Sequence, residues 1–212
     1  MKPRAPIIPV MLLVLAVFTP LLPTHCAEAA EDQSAVIGIT LVGFHKFDET
    51  DQVRAQSFGL IRDVAGVGHL FAEKWFGRLG FGYRYQQVSK GERTAVNGVT
   101  TKDVEIDITN HLVTAQFISW ISDGAYTRLA FIMGGGPSTY VLNDKLASPQ
   151  KYSTSGPITL YGLYLDWGGE GLGARLGWNH LGTDYKRMPY QGSKLWAEGS
   201  GGQSYLDLRW AF

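Results

Sequence analysis

The chain has 212 residues, 45% of them hydrophobic, and its 19 basic and 19 acidic side chains leave a formal charge of zero. That balance excludes a polyanion-binding surface built on net charge, and nucleic acid is not expected among the partners. After residue 29 no apolar run approaches the roughly 20 residues a membrane helix needs, so only a sheet could carry this chain across a bilayer.

Lys2 and Arg4 lead into an apolar run from Val10 to Phe18, which ends at the small residues Ala27 and Ala29. This three-part layout predicts a secretory signal peptide over residues 1–29 and one barrel domain over 30–212. Cys26 follows His25, where a lipoprotein peptidase wants a small residue, so lipidation is disfavoured. Removing the segment leaves no cysteine, hence no disulfide framework or thiol nucleophile.

From Ala35 to His45 both parities are apolar, and Ile37, Ile39 and Leu41 are aimed at lipid. Arg54 to Gly68 supplies either a strand through Phe58, Leu60 and Val64 or a helical stretch. Trp75 to Val88 alternates strictly: Trp75, Gly77, Leu79, Phe81, Tyr83 and Tyr85 on one face, Phe76, Arg78, Gly80, Gly82, Arg84 and Gln86 on the other. Two strands flank the turn at Ser122–Gly124, about Val104 to Trp120 and Tyr126 to Val141. In the first, Val104, Ile106 and Ile108 oppose Glu105, Asp107 and Thr109, while Thr114 and Gln116 reverse the parity; a bulge near His111 is the expected remedy. Between Ile158 and Leu181 lie two more strands, joined by a tight turn at Gly168–Gly171. The last strand sets Leu206, Leu208, Trp210 and Phe212 against Tyr205, Asp207, Arg209 and Ala211.

The total is about eight strands, predicting an all-β, antiparallel up-and-down transmembrane barrel. Long polar links over residues 45–54, 87–102, 143–156 and 182–202 alternate with tight turns, the habit of barrels whose long loops face outside. With the C-terminus periplasmic, Trp75, Trp120, Trp167 and Trp210 fall at one level, the interfacial girdle of such a barrel. Tyr83, Tyr85, Tyr140, Tyr161 and Tyr185 are assigned to the opposite rim, with an inward facing left open for Tyr140. A soluble lipocalin-like barrel would need a charged outer face rich in Lys and Glu, and the polar parity instead holds Gly, Asn, Gln and isolated charges.

The run Leu206, Leu208, Trp210, Phe212 resembles the C-terminal signal by which the outer-membrane assembly machinery recognises its substrates. In size and layout the chain is similar to the small OmpA-like and OmpX-like outer-membrane barrels. The resemblance implies a bacterial outer-membrane location after Sec-type export, a monomer, and outer-membrane lipid and the assembly machinery as partners. It names no subfamily and no loop partner.

Arg78, Arg84, Arg175 and Arg209 share the inward parity with Glu105, Asp107, Asp166 and Asp207, and a barrel of eight strands has little room inside. Such charges must pair to offset their desolvation, so a lumen charge network is expected, read as a packed plug or as a narrow ion path. His180, Asp184 and Tyr185 sit where lipid-modifying enzymes of this membrane hold catalytic groups, but Leu181 and Gly182 replace the His-x-Ser pair of a lipid A deacylase. His45, Asp48 and Ser57 lack the context of an acyltransferase, and Gly134–Thr139 has no phosphate-loop continuation. The histidines show no metal-ligand spacing, so no catalytic residue, metal or cofactor is assigned. Three functions stay open: a non-enzymatic barrel displaying loops for adhesion, envelope integrity or envelope contacts; a small pore or uptake protein; and an enzyme acting on lipid acyl chains.

Overall fold

A computed structural model of the chain describes residues 34–47, 64–96, 99–122, 127–145, 150–190, 193–195, 197 and 199–212. The predicted signal segment, the Asp48 and Ser57 candidates and most of the 45–63 stretch fall outside them. Eight strands close into an antiparallel barrel in the order β1-β10-β7-β6-β5-β4-β3-β2, as the sequence led us to expect. They are β1 (Ala35–Phe47), β2 (Val64–Phe76), β3 (Leu79–Val96), β4 (Val99–Ile121), β5 (Thr127–Asp144), β6 (Gln150–Trp167), β7 (Gly171–Thr183) and β10 (Gly201–Ala211). The short pair β8 (Met188–Tyr190) and β9 (Ser193–Leu195) forms a separate hairpin in the last long link.

Both described chain ends lie at the end of the barrel that carries the tight turns, with Phe212 N–H donating to Ala35 O at 2.9 Å. Positive φ angles at Gly77 (61°), Gly168 (105°) and Gly171 (78°) make two of these turns, a conformation that only glycine adopts without cost. The turn at Gly77 corrects the reading of Trp75–Val88 as one strand. Phe76 pairs with Leu79 across it, β2 ends and β3 begins, and the facing of every residue before the turn is reset. Trp75 therefore points inward and is buried, stacked where a Cβ at Gly80 would overlap its indole, and does not join the expected girdle. Phe76 takes the outward place, while Trp120, Trp167 and Trp210 stay exposed near the turn end.

Two of the expected long loops are largely strand. β3 and β4 stay paired from Leu79↔Phe117 to Val96↔Val99, and β5 and β6 from Thr127↔Trp167 to Asp144↔Gln150. β4 alone has 23 residues, about twice the 9–11 that cross a bilayer. The β2–β3 ladder begins at Gly66↔Ser89 and the β6–β7 ladder ends at Ile158↔Thr183, so β3 to β6 continue beyond their neighbours as a four-stranded wall.

No bulge occurs near His111, because the β3–β4 register runs through Tyr85↔His111 unshifted. What changes there is the environment. From Asn110 to Ile118 the inward residues include Asn110, Thr114 and Gln116, and Val113, Ala115 and Phe117 face out. Above His111 the order inverts: Val104, Ile106 and Ile108 are buried inside, and Asp103, Glu105, Asp107 and Thr109 face out. One unbroken strand thus passes from a segment with an apolar exterior to one with an apolar interior.

The exterior follows the same division. Ile37, Ile39, Leu41, Phe44, Leu70, Phe76, Leu79, Phe81, Val113, Phe131, Leu163, Leu172, Leu208 and Trp210 expose a belt around the turn-side half, far beyond the scattered apolar exposure of a soluble surface. Inside, the loop-side half holds a core of Phe47, Ala65, Val67, Val88, Val104, Ile106, Ile108, Tyr140, Leu142, Tyr185, Met188 and Ala197. Tyr185, assigned to the rim from sequence, and Tyr140, whose inward facing the sequence leaves open, belong to this core, and the link expected to project as a loop over 182–202 partly folds into the barrel mouth.

Candidate functional site

Arg175 is the centre of the lumen. Register puts it directly between Asp166 on β6 and Asp207 on β10, and its guanidinium reaches across to β2. It donates to Glu73 through Nη1 at 2.6 Å and Nη2 at 2.9 Å, a fork matched to a carboxylate, and through Nη2 to Asp166 Oδ2 at 3.0 Å. Arg209 Nε donates to the other oxygen of Asp166 at 2.5 Å, and its Nη1 closes on the Gly169 carbonyl at 3.0 Å. Aromatic rings flank the cluster, with the Arg175 guanidinium 4.0 Å from the Tyr164 ring centroid and 4.6 Å from that of Phe71.

Glycine supplies the space for these long side chains. A Cβ at Gly173 would overlap the Arg209 guanidinium, and one at Gly177 would overlap the Tyr205 ring. Packing of this kind is what an eight-stranded interior permits.

Above this tier His69 Nε2 meets Asp207 Oδ2 at 3.0 Å, both side chains fully buried. Arg84 lies over Tyr205 and Phe71, 5.2 and 5.8 Å from their centroids, and among the described residues it meets no carboxylate within ion-pair distance. With the Asn179 amide turned to satisfy both its ends, Asn179 accepts from Arg84 Nη1 at 3.0 Å. A neutral chain then climbs to the mouth. Gln86 Nε2 donates to Gln203 Oε1 at 2.8 Å, Asn110 Nδ2 to Gln86 Oε1 at 3.0 Å, Ser138 Oγ to Asn110 Oδ1 at 2.5 Å, and Ser138 meets the Tyr185 hydroxyl at 2.5 Å.

Of the eight charges expected in the lumen, Arg84, Arg175, Arg209, Asp166 and Asp207 are buried there. Glu105 and Asp107 are not. They face outward on the wall, because they lie above the inversion at His111: Glu105 pairs with Lys145 at 2.7 Å, and Asp107 accepts from Ser89 at 2.7 Å. The Glu105 carboxylate raises the pKa of exposed Lys145 by hydrogen bond and charge. Arg78 sits half-buried in the β2–β3 turn, outside the Arg175 cluster. The carboxylate that sequence reasoning missed is Glu73, hidden by the misplaced strand boundary; a turn at Gly77 would have put it on the inward parity of His69, Phe71 and Trp75.

The enzymatic candidates do not converge. His180 is half-buried on the outer face with its ring 5.2 Å from Tyr161, Asp184 is exposed, Tyr185 is inside, and His45 is fully buried in the lumen. Among the described residues no group of three His, Cys, Asp or Glu is placed to hold a metal.

No protein-family model matches the chain, and no curated protein matches it in sequence. Solved structures do. Ail, the attachment invasion locus protein of Yersinia pestis, crystallised with the heparin analogue sucrose octasulfate, superposes with a TM-score of 0.53 at 14% identity, covering 85% of this chain and 99% of that one. A second Ail structure gives 0.52 at 13% with the same coverage, and Neisserial surface protein A gives 0.48 at 11%, covering 84% and 97%. The fold is that of small eight-stranded outer-membrane barrels.

Proposed function

We propose that the chain is a closed, non-conducting outer-membrane barrel whose four-stranded wall is presented outside the cell for contact with other surfaces or envelope molecules. The observation that carries this reading is the inversion along β4. Below His111 the barrel is dressed for lipid and above it for water, so β3 to β6 stand clear of the bilayer on the side opposite the tight turns. Termini and turns are then periplasmic, and Phe212 is positioned to serve as the end of an assembly signal read on that side.

A pore is disfavoured by the Arg175 tier and by the apolar core above it, which fills the loop-side half of the lumen. An acyl-modifying enzyme lacks an assembled nucleophile and base among the described residues. Attachment, the role in Ail's name, is the finer reading that the shared fold and the raised wall favour.

Cysteines at Ser153 on the wall and at Gly169 in the β6–β7 turn test the orientation on intact cells. An impermeant maleimide should label Ser153→Cys and spare Gly169→Cys; the opposite pattern defeats the reading. Expressed on a non-adherent bacterium, the protein should raise attachment to surfaces or host cells, and multiple Asp substitutions on the outward face of β6 should reduce it.

A further inference from the structure

The lipid-facing belt has a gap in it over β5. Gly135 faces outward without a side chain, between Val113 on β4 and Thr159 on β6. Val113 is 69% exposed, and Tyr161, paired with Met133 at the next outward position of β5, is 59% exposed. The backbones of β4 and β6 stand two strand spacings apart, about 10 Å, so the floor between their side chains has room for one hydrocarbon chain.

At the upper end of this groove lies His111. Its Nδ1 is 2.6 Å from the Tyr83 hydroxyl, and the Tyr85 ring meets it edge-on at 5.3 Å. In the tautomer we assign, Tyr83 donates to Nδ1, so the imidazole proton sits on Nε2 and leaves a donor at the rim. The β4–β5 ladder lapses at this height: Asn110↔Ser138 and Val113↔Gly135 pair, while His111 and Leu112 do not pair with Pro137 and Gly136. Pro137 has no N–H to give, and it faces outward at the head of the groove. The nearest acid up the strand, Asp107, is occupied by Ser89 and by Asn143 at 3.4 Å. The polarity inversion of β4 falls at His111, so this donor set lies where headgroups meet hydrocarbon.

We propose that this groove holds one membrane lipid with a phosphate headgroup, its acyl chain over Gly135 and its phosphate accepting hydrogen bonds from His111 Nε2 and the Tyr85 hydroxyl. The site rests on the reading of the belt as the membrane-embedded surface. It is lined by donors without a free carboxylate, which suits an anion and gives a neutral glyceride nothing to match.

Native mass spectrometry of the full chain, purified from membranes in detergent, tests it with dioleoyl phosphatidylglycerol and dioleoylglycerol as probes. The phosphatidylglycerol should bind about tenfold tighter, the worth of one hydrogen bond to a charged group. His111→Ala and Tyr85→Phe should each remove most of that preference. Gly135→Leu should weaken both lipids, while Gly68→Leu, which adds the same side chain at a bare outward-facing position away from the groove, should change neither. Equal affinity for the two lipids, a preference that survives the His111→Ala, Tyr85→Phe double variant, or equal loss in Gly68→Leu overturns the site. Heat-modifiable mobility of each variant reports the inserted barrel separately, so failure of the membrane reading is distinguishable from failure of the lipid site.

Discussion

Arg175 joins strands that are far apart in the chain, bridging Glu73 on β2 to Asp166 on β6 with every group withdrawn from solvent. A buried pair of this kind adds little over a well-packed apolar substitute, but breaking one side strands the other. Arg175→Ala should leave Glu73 without its cation, with the long Trp75 Nε1 hydrogen bond at 3.4 Å remaining, and half of Asp166 without a partner, and lower the unfolding free energy by about 3–5 kcal/mol. Adding Glu73→Gln to Arg175→Met should recover part of that loss by removing the orphaned charge. Urea unfolding in lipid vesicles, followed by tryptophan fluorescence, measures both. A fall of about 1 kcal/mol or less for Arg175→Ala would mean a hydrated, screened lumen. Arg175→Lys should be intermediate, since an ammonium keeps the charge but not the fork that spans both Glu73 oxygens.

At the level of the element, β4 carries two environments on one register, and equivalent substitutions should have opposite consequences along it. Ile106 is buried inside the loop-side core, so Ile106→Ala should cost about 2–5 kcal/mol, whereas Glu105→Ala beside it should change stability by about 0.5 kcal/mol or less. Six residues below His111 the rule turns over: Phe117→Arg puts a charge on the lipid face and should cost up to about 2–4 kcal/mol, depending on its depth. Unfolding titrations of the three variants check the pattern, and a large loss for Glu105→Ala would contradict the inversion. This is also where sequence and structure part company. Alternation in Leu79–Val88, Ile158–Leu181 and the last strand reads correctly because each keeps one polarity rule over its membrane-crossing length. In β4 the rule reverses, and period-two reasoning that assumes a single solvent on each face must invent a bulge at His111 and send Glu105 and Asp107 inward. The same assumption turned the polar outward residues of β3 and β6 above the boundary into loops. Trp75 and Glu73 failed for a smaller reason, a two-residue turn whose glycine looks like one more member of an alternating face.

For the molecule as a whole, strand number, closure and the tight turn at Gly168–Gly171 were legible because hairpin chemistry is local, while the turn at Gly77 and the closure of the mouth were not. Nothing in the spacing of residues 184–200 shows that Tyr185, Met188 and Ala197 turn into the barrel; that depends on meeting Ile108, Tyr140 and Leu142 from strands distant in the chain. The link is clasped from the side, with Thr183 N–H donating to Ser200 Oγ at 3.0 Å and Gly199 N–H to Thr183 Oγ1 at 3.1 Å. The barrel therefore has two stoppers in series, the apolar core at the mouth and the ionic tier around Arg175, held by different forces. Two stoppers in series predict that neither deletion alone opens the molecule. Tyr185→Ala with Met188→Ala should wet the mouth and speed proteolysis of the link, yet planar-bilayer current should stay at baseline because Arg175, Glu73, Asp166 and Arg209 still fill the cross-section below. Arg175→Ala alone should lower stability and likewise pass no steady current, because the apolar core still excludes hydrated ions. Only the triple variant should conduct, in short, noisy openings whose cation preference follows the unneutralised Glu73, since Arg209 still holds Asp166. Steady single-channel current in the unaltered protein, or in either partial variant, would show that one of these layers does not seal.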